Sequence, residues 1–181
     1  MHELYVASDS TTARYPRYYR LSLEKLAREQ CKLSKMQKGS KNRNKQRIKV
    51  AKLHETVTNQ RKDFLHKLSR QITNAHDCVC IEDLNMKGMS QALNFGKSVA
   101  DNGWGMFTTM LAYKLDEQGK QLVKIDKFFP SSKTCSCCGS VKENLSLSER
   151  TYHCDVCYTD IDRDYNASIN IRNEGMRIAL A

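Results

Sequence analysis

The sequence predicts an α/β chain with a small metal-binding ribbon inserted before its last helix. Three observations predict it. Two Cys-x2-Cys pairs, Cys135/Cys138 and Cys154/Cys157, stand fifteen residues apart. From Cys78 onward the order reads strand, helix, strand, insert, helix, which is an α/β pattern. A long, strongly basic stretch of helical periodicity precedes both.

Composition narrows the function. The chain has 181 residues, enough for one globular domain and a small appendage. No apolar run approaches the ~20 residues of a membrane span, so no membrane partner is expected. The net charge of +10 calls for an anionic partner, with nucleic acid the first choice. Eight cysteines and a start, Met1-His2-Glu3, that opens no secretory signal point to a reducing, cytoplasmic setting and to free thiols.

Taken in order, Leu4 to Val6 and Thr11 to Tyr15 predict a hairpin with Asp9-Ser10 at its turn. Arg17 to Ala75 predicts two helices. Leu23, Leu26, Ala27 and Leu33 mark the apolar face of the first. Lys38-Gly39-Ser40 breaks it, with Ser40 placed to cap the second. Ile48, Ala51, Val57, Phe64, Leu65, Leu68 and Ile72 mark the face of that second, long helix. From Arg14 to Arg70 there are 18 Lys or Arg against 4 acidic residues. Charged helix faces are commonly solvated surfaces of alternating sign. Here the sign hardly alternates, so Lys38, Lys41, Arg43, Lys45, Arg47 and Lys49 are read as phosphate contacts.

Cys78-Val79-Cys80-Ile81 predicts a compact strand ending in Glu82-Asp83. Acids at the carboxyl end of a buried strand are well placed for chemistry in α/β folds, and Asp83 is read as the cap of the following turn. Met86 to Lys97 reads as a loop. Asp101 or Asn102 is placed to cap a helix reaching about Glu117, with Trp104, Phe107, Met110 or Leu111, and Leu115 as its buried stripe. Gly119 ends it, and Leu122 to Ile125 is the next strand. Cys31, Cys78 and Cys80 read as small buried hydrophobes.

The paired knuckles are a strong indication of tetrahedral Zn2+. Each lets one tight turn aim two sulfurs at one point, and four thiolates close the site to water. The ligands are Cys135, Cys138, Cys154 and Cys157. Cys137 falls off the repeated spacing, and His153 beside Cys154 is expected to point away. Lys133, Lys142 and Arg150 are near enough in sequence to offset the negative charge of the thiolates. Leu145, Leu147 and Tyr152 make a core too small to fold alone, so metal binding supplies roughly 10–16 kcal/mol of folding energy. Asp162 and Asp164 then precede a helical run from Tyr165 to Ile178. Asp at a helix start is ordinarily an N-cap, a role that suits one of the pair and leaves the other free as a metal-binding carboxylate.

In combination, these motifs resemble the C-terminal part of the transposon-encoded OrfB/TnpB family. The matching residues are Lys38-Gly39-Ser40-Lys41-Asn42-Arg43, Val50 to Glu55, Arg61 to Ser69, Cys80-Ile81-Glu82-Asp83-Leu84-Asn85, Phe129 to Ser136, the two knuckles and Asp162-Arg163-Asp164-Tyr165-Asn166-Ala167. The resemblance implies a RuvC-like nuclease domain of RNase H fold with a zinc ribbon before its last helix, in a prokaryotic protein. Intact members are RNA-guided DNA endonucleases, so DNA and a guide RNA are the implied partners. It also implies three carboxylates holding Mg2+, of which Glu82 is the second and Asp164, rather than Asp162, the third. The organisation expected is a partial RuvC-like domain over 1–129, with the basic hairpin at about 17–75, a zinc ribbon over 130–160 and a closing acidic motif and helix over 161–181.

One departure stands out. The family's first acid sits in a motif like Gly-Ile-Asp-x-Gly, which is not found here, and Asp9 suits the hairpin turn better. The family's N-terminal domain is not found either. The expectation is therefore a truncated, catalytically incomplete member. Without its central first strand, the Met1–Tyr15 hairpin and the Cys80 strand each expose an edge, which a partner chain such as a full-length relative could fill. The alternative is a non-catalytic, zinc-containing DNA- or RNA-binding protein.

Overall fold

The computed structural model describes residues 3–84, 103–146 and 148–181. The expected loop at Met86 to Lys97, the caps at Asp101 or Asn102, and Leu147 lie outside the described residues.

Strands β1 (Glu3–Val6) and β2 (Thr12–Arg14) form an antiparallel hairpin. Its turn is where Asp9 and Ser10 place it: Ser10 adopts φ 69°, and the Asp9 carboxylate accepts from the Thr11 N–H at 2.9 Å. Helices α1 (Tyr18–Lys35) and α2 (Lys41–Ala75) follow. The Ser40 hydroxyl accepts from the Arg43 N–H at 3.2 Å and caps α2 as the sequence predicts. The 35 residues of α2 span about 52 Å at 1.5 Å per residue.

The apolar face of this hairpin is shorter than expected. Leu26 is buried, but Leu23 and Ala27 are exposed on α1, as are Ile48 and Ala51 on α2. The seam between the helices runs instead through Leu26, Glu29, Gln46, Val50 and Val57. Gln46 Nε2 donates to the Glu29 carbonyl at 3.0 Å and to its carboxylate at 2.7 Å, and Lys32 and Lys49 pair with that carboxylate at 3.1 and 3.0 Å. The Gln46 hydrogen bond, then those from the lysines, holds the Glu29 carboxyl down to about 2 from its ordinary 4.5. A depressed carboxyl stabilises the fold above its unfolded value, and that contribution is lost as pH falls through about 2.

The second half is a β-α-β unit closed by a further helix. Strand β3 (Cys78–Glu82) pairs in parallel with β4 (Gln121–Ile125), Cys78 opposite Gln121 and Glu82 opposite Ile125. Between them α3 (Trp104–Asp116) buries Phe107, Met110, Leu111 and Leu115 of the predicted stripe, while Trp104, also expected in it, is half-buried. Its N-cap is Gly103, at φ 66°, where a Cβ would lie 3.1 Å from Leu65 Cδ1 of α2. The sequence did not single out Lys114. It is 2% exposed and donates from Nζ to the His66 carbonyl and the Ser69 hydroxyl, both at 2.7 Å, pinning α3 to α2. The main core joins Leu4, Tyr15, Leu65, Phe107, Met110 and Leu111. Cys31 is exposed and Cys78 and Cys80 are half-buried, so none is the fully buried hydrophobe expected.

Strands β5 (Thr151–His153) and β6 (Asp160–Asp162) belong to the ribbon, and α4 (Arg163–Ala179) packs on β3 and β4. The approach is close. A Cβ added to Gly175 of α4 would lie 2.3 Å from Cys80 Sγ and 2.6 Å from Cys80 Cβ. Among the described residues the sheets are three separate pairs. A cavity of about 600 Å³, lined by Tyr5, Val79, Ile81, Trp104, Phe107 and Arg172 among others, separates the hairpin from β3.

Gly175→Ala is expected to lower stability by about 1–3 kcal/mol, the usual result of overpacking, against the ~1 kcal/mol that Ala gains over Gly in a helix. Urea denaturation followed by circular dichroism measures the sum. A stabilised variant would contradict the close approach of α4 to β3.

Candidate metal centre and carboxylate site

The ribbon starts from two tight knuckles. In each, the sulfur-bearing turn is closed by backbone bonds: the Gly139 N–H donates to the Cys135 carbonyl and the Tyr158 N–H to the Cys154 carbonyl, both at 2.9 Å. Gly139 (φ 77°) and Tyr158 (φ 58°) take the left-handed conformation the turns require. The sulfurs of Cys135, Cys138, Cys154 and Cys157 lie within 4.8 Å of one another, with Cys135–Cys157 and Cys138–Cys154 each at 3.6 Å. A tetrahedral ion with metal–sulfur bonds of ~2.3 Å needs sulfurs about 3.8 Å apart, so this set can hold one. The Ser140 hydroxyl, 3.2 Å from Cys154 Sγ, is the main reason that thiol is lowered to about 5. Burial pushes the Cys135 thiol the other way, up to about 12, so the sulfur geometry and not the titration carries the metal reading.

The other nearby groups are sorted as well. Cys137 is exposed and outside the four-sulfur group. His153 turns away, its Nδ1 2.7 Å from the Asp160 carboxylate. The cations expected to offset the thiolates have other partners. Lys142 pairs with Asp155 at 3.2 Å, Arg150 lies 3.9 Å from Asp164, and Lys133 Nζ donates to the Glu143 carbonyl at 2.7 Å. The ribbon core is Cys135, Tyr152 and Cys154, backed by Leu145, Cys157 and Ile161.

Strand β6 runs directly into α4, so the ribbon fixes where that helix begins. Asp162 is the N-cap: its carboxylate accepts from the N–H groups of Asp164 and Tyr165 at 3.0 and 2.9 Å. Asp164 is therefore left exposed in the first turn. Two fully or nearly buried asparagines, which sequence reasoning missed, sew α4 to the chain entering the ribbon. Asn166 Nδ2 donates to the Thr134 carbonyl at 2.7 Å, and its Oδ1 accepts from the Ser136 N–H at 2.9 Å. Asn170 Nδ2 donates to the carbonyls of Ser131 and Thr134 at 2.8 and 2.7 Å. Asn at two positions four apart on one helix face was the available signal.

Glu82 ends β3 and is half-buried. The Ser131 hydroxyl donates to its carboxylate. The connection Glu82–Ser131–Asn170 thus reaches α4, whose first turn carries Asp164. No bond joins Glu82 to Asp164 directly. Among the described residues the four cysteines alone form a metal-sized group of three or more His, Cys, Asp or Glu ligands. Asp83 pairs with Lys124 at 3.6 Å. Asp9 stands in the hairpin turn and lies 3.8 Å from His76 Nε2, lining the same cavity as Glu82.

On the basic hairpin, Lys38, Lys41, Lys45 and Arg47 are exposed and Arg43 is half-buried. Lys49, one of the six expected phosphate contacts, is held by Glu29.

Fold and site together define an α/β protein with a ribbon of four clustered cysteines, able to hold a metal ion, set between a parallel strand pair and its closing helix. Comparison with known proteins places it more narrowly. The profile of the OrfB/IS605 family, described as "Probable transposase", matches residues 1–93, and that of the Cas12f1-like TNB domain matches 104–171. The chain belongs to the OrfB/IS605 transposase family. A protein of Streptomyces pristinaespiralis named "Putative RNA-guided DNA endonuclease" is 40% identical over 89% of this chain and 40% of its own length. The Escherichia coli protein named "Putative RNA-guided DNA endonuclease InsQ" is 30% identical over 96% of this chain and 46% of its own. The chain thus spans less than half the length of these relatives. A solved Cas12f1 complex with guide RNA and target DNA shares the fold, with TM-score 0.63 at 20% identity over 90% of this chain and 43% of that one.

Asn166→Ala is expected to cost about 1–3 kcal/mol, because it leaves the Ser136 N–H unpartnered and removes one of the two donors to the Thr134 carbonyl, which Asn170 still holds. Hydrogen exchange at the Ser136 amide should quicken with it, and an unchanged rate there would contradict the seam.

Proposed function

We propose that this chain is the carboxylate-bearing, RuvC-like region of an RNA-guided DNA endonuclease of a transposable element, with an RNase H-like arrangement around β3, β4 and α4. Glu82 and Asp164 are its Mg2+ ligands, and Cys135, Cys138, Cys154 and Cys157 hold a structural Zn2+. The observation that carries the reading is the shared support of the two acids. Ser131 orients Glu82 and is itself bonded by Asn170 of α4, while the Asp162 cap sets the helix turn bearing Asp164. Both acids are thereby tied to α4, Asp164 on its first turn and Glu82 on β3 through Ser131 and Asn170.

When bound, Mg2+ supplies activation of water and stabilisation of the leaving oxygen. The chain's own contribution is orientation. The Ser131 hydroxyl limits the rotation of Glu82, and capping by Asp162 keeps Asp164 from being consumed as the cap itself. Lys38, Lys41, Lys45 and Arg47 line the backbone-binding face, and the guide RNA and target DNA are its partners.

The same cavity supports a further assembly. The edges of β1 and β3 both border it, its walls are largely apolar, and a strand supplied by a full-length relative would pair there. Co-purification with such a relative, lost when Cys80→Pro removes a β3 N–H that faces away from β4, tests that arrangement. Retention of the complex by a folded Cys80→Pro would refute it.

Two measurements test the function. DNA binding should weaken steeply with salt. Replacing Lys41, Lys45 or Arg47 by Gln should each reduce the log–log slope by about 1, whereas Lys49→Gln should act through stability because Glu29 already holds it. A slope that none of these substitutions changes would move the binding face elsewhere. With Mg2+ the chain by itself is expected to show no measurable cleavage, since two carboxylates do not clamp two ions as three do. Cleavage that disappears in Glu82→Ala or Asp164→Ala would overturn the incompleteness while supporting the two assignments. Binding without cleavage in the presence of an added relative would favour the purely nucleic-acid-binding alternative.

A further inference from the structure

We propose that Phe128 is a stacking platform for an unpaired base of the nucleic-acid strand held at the Glu82 site. The inference rests on the nucleic-acid reading above and adds a contact with the bases to it.

The ring is 81% exposed, the most exposed aromatic among the large exposed hydrophobics. It is not on a loose tip. Its own N–H donates to the Asp126 carboxylate at 2.6 Å, and the Phe129 N–H donates to the Asp126 carbonyl at 3.1 Å. One side of this turn leaves β4 at the buried Ile125. The other side ends at the buried Ser131, which bonds Glu82 and is held by Asn170. A backbone-bonded turn thus presents an exposed aromatic ring three residues from the group that orients the carboxylate. A backbone already ordered there costs less to fix on stacking than a loose tip would.

The chemistry of the surroundings selects a base over an apolar protein surface. Lys127 Nζ lies over one face of the ring, 4.8 Å from its centroid, so a cation sits on that side and the opposite π face is the one offered. That pairing suits a nucleotide, whose phosphate and base need one of each. The chain's charge of +10 favours the same partner. Stacking is sequence-tolerant because every base has a π face, so no base preference is expected.

The test compares the full chain with Phe128→Ala, Phe128→Leu and Phe128→Trp, using a single-stranded oligothymidylate and an abasic strand of equal length. The position is exposed, outside the core, and circular dichroism checks that each variant folds. Phe128→Ala should weaken binding to oligothymidylate by about 5- to 150-fold, while binding to the abasic strand stays unchanged. Phe128→Leu should behave as Ala. Phe128→Trp should retain affinity and show emission quenched by oligothymidylate beyond the Trp104 background. Unchanged affinity in Phe128→Ala, equal loss on the abasic strand, or full rescue by Leu would each overturn the platform while leaving salt-dependent binding in place. Failure of the unsubstituted chain to bind either strand would defeat the nucleic-acid reading itself.

Discussion

The convergence of four sulfurs is the constraint on which the second half of the molecule depends. The ribbon core is little more than Tyr152 with two cysteines, backed by a few half-buried side chains. Such a core does not order its own backbone, and metal ligation can. Once it is ordered, β6 leads without a linker into α4, and the helix start is fixed by Asp162. The position of Asp164 is thus inherited from sulfur geometry through a chain of short backbone steps.

A second constraint ties that helix to the strand pair. Gly175 lets α4 approach Cys80 with no room for a methyl group, and Asn166 and Asn170 take up backbone groups of the segment entering the ribbon. Ser131 belongs to that segment and also touches Glu82. Zinc-type ribbon, final helix and β3 carboxylate are therefore mechanically one unit. The basic hairpin stands apart in its chemistry: Glu29, Gln46, Lys32 and Lys49 fasten it with polar contacts, leaving much of its remaining positive charge on the surface.

What could be read from the sequence follows from how local each signal is. The cysteine spacing, the Ser40 cap, the Asp9-Ser10 turn and most of the α3 stripe are each decided within a few residues, and each appears in the structure; the cap of α4, left open between two aspartates, is Asp162. The seam between α1 and α2 is not local. Ile48 and Ala51 satisfied helical periodicity, but the buried face is rotated toward Gln46 and Val50, because Glu29 on the facing helix needed a partner. The partners of Lys114, Asn166 and Asn170 were illegible for the same reason. Burial of a polar side chain is dictated by the carbonyl it meets, and that carbonyl lies tens of residues away. Lys133, Lys142 and Arg150, expected near the thiolates, each have a partner the sequence did not indicate, because proximity in sequence does not choose among competing acceptors.

The central claim is that metal in the ribbon sets the helix turn bearing Asp164. Hydrogen exchange of the full chain before and after chelation of bound zinc tests it most directly. The account predicts that the amides of Asp164 and Tyr165 lose protection together with those of β5 and β6, while α2 and α3 keep theirs. A first turn of α4 that stays protected after the metal is removed would contradict it.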